Sequence, residues 1–69
     1  MSDREAERKA ERLWGDDGVA WHNAHARKGD FRFCQVGVRV GDMQEGWTVY
    51  GRGPTWLDAF LEAERRGRC

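Results

Sequence analysis

The chain reads as a small α+β domain. Capped helical patterns stand at both ends, and between them two apolar runs alternate with period two and agree in one antiparallel register. Its 69 residues make one domain, residues 1–69. The expected order is an N-terminal helix, a segment open to a second short helix or a strand, an antiparallel β-hairpin, and a C-terminal helix packed on the hairpin.

The first helix is signalled by Ser2-Asp3-Arg4-Glu5, a capping box in which the Ser2 hydroxyl takes the Glu5 amide and the Glu5 carboxylate reaches back. Ala6, Ala10, Leu13 and Trp14 form one narrow apolar stripe, and Gly15 suits a left-handed cap. Within residues 17–28, three alanines, an Asp at the start and Arg27-Lys28-Gly29 at the end favour a second short helix. Against the favoured helix, Val19 to Trp21 could begin a strand, with Lys28-Gly29-Asp30 as the turn into the next.

"FRFCQVGVRV" is a strand by alternation: Cys34, Val36, Val38 and Val40 point one way, and Phe31, Phe33, Gln35, Gly37 and Arg39 the other. "GDMQEG" is expected to turn the chain into a second strand, "WTVYG". One register sets Val40 against Trp47, Val38 against Val49 and Val36 against Gly51, with Arg39 against Thr48 and Gly37 against Tyr50 on the other side. The last helix starts with Thr55 as cap, and Trp56, Leu57, Ala59, Phe60, Leu61 and Ala63 cover a wide apolar arc for the valine face of the hairpin. A two-stranded sheet is marginal in water, so this helix is required. Trp14 and Trp47 are expected in the core beside Trp56 and Phe60.

Charge and composition narrow the function. The chain is 35% charged and 39% hydrophobic with a formal net charge of zero. Residues 1–30 carry six Lys/Arg against seven Asp/Glu, and residues 31–69 six against five. Neither half is a basic block, which argues against holding nucleic acid mainly by phosphate neutralisation. A stripe of Arg27, Lys28, Arg32, Arg39 and Arg52 on one face would argue for it. No run approaches a membrane span, and the N-terminal segment is charged from its third residue, unlike a secretory signal. Cys34 lies in a strand pattern and Cys69 at the end, so one buried and one exposed thiol in a reducing cytoplasm is expected. Domains this small bury only about 60% of their unfolded surface and lean on a staple, so a homodimer or a partner is expected.

The chemical candidates are few. "GRGPTWLDAF" lacks the Lys of a P-loop and the third glycine of a dinucleotide fingerprint, and Pro54 removes an amide donor. Its residues suit a corner: Gly51 and Gly53 turn the chain out of the hairpin, Pro54 stiffens the entry and Thr55 caps the helix. His22 and His25 are spaced H-x-x-H and could meet Cys34 or Asp17, but no second ligand pair exists, and surface histidines are expected. With one Ser and two Thr, no Ser-His-Asp arrangement stands out. The expectation is a protein that is not an enzyme and takes no cofactor or metal. The aromatic surplus points to binding instead. Phe31, Phe33, Arg39, Tyr50 and Arg52 fall on or beside the non-valine face. If helices cover that face they are core; if not, they form an aromatic–Arg patch of the kind that dominates interfaces.

The run "WTVYGRGPTWLDAFLEAERRG" resembles the strand–glycine–Thr–helix ending of HicB-type antitoxins, with Gly53, Thr55, Asp58, Ala59 and Glu62 matching. The resemblance covers about twenty residues and implies an antitoxin-like regulator. In size and simplicity the chain also resembles small phage-encoded inhibitors of the anti-CRISPR type. That resemblance implies a non-enzymatic domain that binds and blocks a larger host complex. The leading expectation is a protein-binding inhibitor or adaptor; the alternative is a nucleic-acid-binding or antitoxin-like regulator.

Overall fold

The computed structural model describes residues 1–40 and 46–68. The elements run α1 (Asp3–Trp14), a 3-10 turn (Gly15–Asp17), β1 (Gly18–His22), β2 (Cys34–Arg39), β3 (Trp47–Gly53) and α2 (Trp56–Arg65). This is an α+β arrangement with one antiparallel sheet in the order β1-β2-β3. No helix among the described residues is long and apolar enough to cross a membrane.

Both helix starts follow the local chemistry. The Glu5 amide donates to Ser2 Oγ at 3.2 Å, and the Ser2 amide donates to Glu5 Oε1 at 3.2 Å. These bonds favour the charged Glu5 carboxylate and lower its pKa. The Asp58 amide donates to Thr55 Oγ1 at 3.2 Å, and the Thr55 hydroxyl donates to Asp58 Oδ2 at 2.9 Å. Gly15 and Gly67, just past the two helices, hold positive φ.

Both helices lie on one face of the sheet. The core joins Ala6 and Ala10 of α1, Ala20 of β1, Cys34 and Val36 of β2, and Trp56, Ala59, Phe60 and Ala63 of α2. Asp3 accepts from Trp56 Nε1 at 3.1 Å, and Trp14 Nε1 donates to the Arg68 carbonyl at 2.6 Å, so the two helices run in the same direction. Trp14 fills the space between them, stacked on Phe60 at 5.9 Å and edge-on to Tyr50 at 5.1 Å. Leu57 and Leu61, expected within the buried arc of the last helix, are exposed. Only the Trp56–Phe60–Ala63 side of α2 meets the sheet.

Three expectations need correction. Residues 18–22 take the strand alternative rather than the helix, and the hairpin becomes a three-stranded sheet. Small residues decide this: Gly18 and Ala20 face α1, and a Cβ on Gly18 would run into the Ala10 carbonyl. The register is the second. Val36 does face Gly51, but Gly37 faces Val49, Val38 faces Thr48 and Arg39 faces Trp47. Tyr50 is the extra residue of a bulge, and Gly37 leaves the space into which the Thr48 carbonyl moves. Beyond the bulge the pairing slips by one, which flips every side chain to the other face. Trp47 therefore leaves the expected core for the far side of the sheet. Third, Gly51 and Gly53 do not turn the chain out of the hairpin; both lie inside β3, pressed against α2. The expected turn at 41–46 falls almost wholly outside the described residues.

Candidate functional site

Strand alternation assigns the two faces of the sheet. Gly18, Ala20, Cys34, Val36, Gly51 and Gly53 face the helices. Val19 and Trp21 of β1, Gln35 and Arg39 of β2, and Trp47, Val49 and Arg52 of β3 face the other way. No described helix covers this outer face. Trp21 and Trp47 meet on it edge-on, with centroids 4.5 Å apart. Gln35 is buried beneath them, its amide donating to the Arg32 carbonyl at 3.0 Å. The indole N–H of Trp21 is buried without an acceptor among the described residues. Such an orphan donor costs about 1–3 kcal/mol.

The five residues expected to form a patch are divided. Arg39 and Arg52 both reach the outer face, near opposite ends of β2. Tyr50 does not: the bulge turns it toward the helices, where Trp14 and the Arg68 guanidinium, 4.9 Å from its ring, cover it. Phe33 is half-buried at the end of the sheet, stacked on His22 at 4.6 Å, and His22 stacks in turn on Trp56 at 4.7 Å. Phe31 is 61% exposed in the β1–β2 connection, with the Arg32 guanidinium 5.4 Å from its ring. Sequence reasoning missed Trp21 and Trp47. The small–large alternation of Gly18-Val19-Ala20-Trp21 was the available signal for the first; the second required knowledge of the bulge.

An open groove of about 670 Å³ continues the outer face around the free edge of β1. Trp21, Trp47 and Arg39 line one side, and Glu7, Glu11 and Asp16 the other. The basic residues Arg27, Lys28 and Arg32 lie in the β1–β2 connection at the end of β2 away from Arg39.

His22 lies 3.6 Å from Asp3 and is held between two rings. No group of three or more potential metal ligands occurs among the described residues. Cys34 is 2% exposed, and its Sγ lies 3.8 Å from the Pro54 carbonyl. Burial pushes its thiol pKa up, and the nearby Asp3 and Asp58 carboxylates add to the shift. A raised pKa keeps this sulfur a poor nucleophile. It also sets a pH dependence. Below the ordinary thiol value of about 8.5 the group is neutral in both states. Above it the unfolded chain ionises and the folded chain does not, so stability falls as pH rises toward the folded pKa. Urea midpoints measured above that pH should fall more steeply for the native chain than for Cys34→Ala. Equal slopes would show that Cys34 carries no linkage.

No family model matches the chain, and neither a curated protein nor a solved structure matches it.

Proposed function

We propose that the protein is a non-enzymatic protein-binding module, an inhibitor or adaptor that docks through the outer face of its sheet. The observation that carries this reading is the half-buried Trp21–Trp47 pair, which no helix among the described residues covers, flanked by Val19, Val49, Arg39 and Arg52. Trp and Arg dominate the energetics of protein interfaces, and a patch centred on two rings with Arg at its margins has that composition. The indole N–H of Trp21 finds no acceptor among the described residues, and a partner could supply one. Glu7, Glu11 and Asp16 on the adjoining wall would repel phosphates, which favours a protein over a nucleic acid. In this reading the module acts by covering a surface of a larger complex, as small inhibitors encoded by phages and mobile elements do.

The test is capture of a partner from cell lysate on the immobilised protein, with and without nuclease. Trp47→Ala and Arg52→Ala should each weaken capture by about 2 kcal/mol, roughly thirtyfold. Phe31→Ala and Leu61→Ala, away from the outer face, should leave it unchanged. Nuclease should not release the partner, and capture should survive moderate salt. If the purified protein instead shifts DNA or RNA with a steep salt slope that Arg52→Ala reduces, the regulator reading replaces this one.

A further inference from the structure

We propose that the free edge of β1 takes up an extended peptide segment by strand addition, and that this segment carries Lys or Arg at every second position. The proposal rests on the protein-binding reading above and specifies the chemistry of the partner.

The first observation is the edge itself. The Asn23 amide donates to the Phe33 carbonyl at 2.8 Å, which fixes the phase of the β1–β2 ladder. Bonded pairs then alternate along it, Trp21 with Gln35 and Val19 with Gly37. The backbone groups of Ala20 and His22 point away from β2, toward the open side. No backbone bond to them from another described segment occurs. A strand laid along this side would find donors and acceptors at the spacing it needs.

The second observation is the acidic row on α1. Asp3, Glu7 and Glu11 repeat at i, i+4 and i+8. Asp3 stands beside His22 at one end of β1, and the backbone of Ala10 and Glu11 stands over Gly18 at the other. Trp56 Nε1 and His22 already engage Asp3, so the carboxylates left open along the groove are Glu7 and Glu11, with Asp16 beside them. The row's carboxylates recur about every 6 Å, four residues at the helical rise. Same-face side chains of an extended strand recur about every 6.8 Å. An incoming strand would present one side chain to Glu7 and the next on that side to Glu11. Its alternate side chains would lie against Trp21 on the outer face, where apolar groups fit.

The match also discriminates among occupants. A second copy of the chain, paired edge to edge, would bring two acidic rows together. A nucleic acid would bring phosphates to them. A basic–apolar alternating segment is the occupant whose charge complements the wall.

The test uses the full chain and labelled peptides alternating Lys with Val and Phe, read by fluorescence anisotropy. The Lys peptide should bind saturably, and the same peptide with Glu in place of Lys should not. Pro at its central position should abolish binding by removing an amide donor. Glu7→Gln with Glu11→Gln, both exposed, should weaken the Lys peptide about tenfold, the combined worth of two exposed ion pairs. Amide exchange at Ala20 and His22 should slow on binding. Equal affinity for the Lys and Glu peptides, no saturable binding, or unchanged exchange at Ala20 and His22 would each overturn strand addition. So would a dimer of the chain alone with slowed exchange at those two amides. If the peptide fails while Trp47→Ala still weakens capture of a protein partner, only the edge proposal falls. If both fail, the protein-binding reading falls with it.

Discussion

Phe60→Ala should lower the folding free energy by about 3–5 kcal/mol, the usual loss for a buried Phe. Phe60 is 3% exposed at the centre of α2. Trp14 stacks on one side of it, and the Lys9 ammonium lies 4.9 Å from its ring. The rest of the core cluster is mostly alanine, with Ala6, Ala10, Ala20, Ala59 and Ala63 beside Cys34, Val36 and Trp56. Small side chains cannot swing into a void, so the cavity would persist and its cost with it. A domain of this size has only a few kcal/mol to lose. The variant should be largely unfolded at room temperature by circular dichroism. Leu61→Ala, one residue on but 44% exposed, should stay within about 0.5 kcal/mol of the native chain. If Phe60→Ala melts within a few degrees of the native chain, α2 does not seal the sheet as described.

The parts of this fold that were legible in the sequence are those decided within one turn of chain. Ser2 and Glu5 sit three residues apart and make the capping box that their spacing implies. Thr55 caps α2 for the same reason. The features that were not legible depend on contacts distant in sequence. Val19 and Trp21 become strand residues because α1 folds back onto Gly18 and Ala20, leaving no room for a helix there. Leu57 and Leu61 belong to an apolar arc in the sequence, yet the sheet is narrow and α2 meets it along one side only.

The candidate site turned on a single residue. The expected pairing holds at Val36 and Gly51, and one inserted residue, Tyr50, changes all pairs beyond it. That slip takes Tyr50 off the outer face and puts Trp47 and Val49 onto it. A patch of aromatic residues with Arg39 and Arg52 survives, with its rings exchanged. Alternation in either strand alone is compatible with both registers; the choice lies in the space opposite Gly37, which no local pattern encodes. The i, i+4 pair of Glu7 and Glu11 was visible as charge on a helix. Its meaning as the wall of a groove required the position of β1.

The close seating of α2 gives the second large effect. Gly51→Ala should destabilise the protein by roughly 3 kcal/mol, the upper end of the overpacking range. A Cβ at this position would drive into the Ala59 carbonyl oxygen and the Ala63 amide nitrogen. Both are backbone atoms in the middle of a helix, so no side-chain rotation can make room. Relief requires lifting α2 from β3, which would loosen Phe60 and Ala63 from the core. Backbone strain is not the cause, since Gly51 is not among the glycines with positive φ. Gly29→Ala tests that separation. Gly29 has φ of 98°, and a Cβ there meets nothing within 4 Å. Its replacement should cost only the conformational penalty, about 1–2 kcal/mol. Urea denaturation of the two variants therefore distinguishes close packing from dihedral strain. A Gly51→Ala variant no less stable than Gly29→Ala would mean that α2 can rise from the sheet at little cost. The covered face would then be less tightly built than the contacts of Gly51 imply.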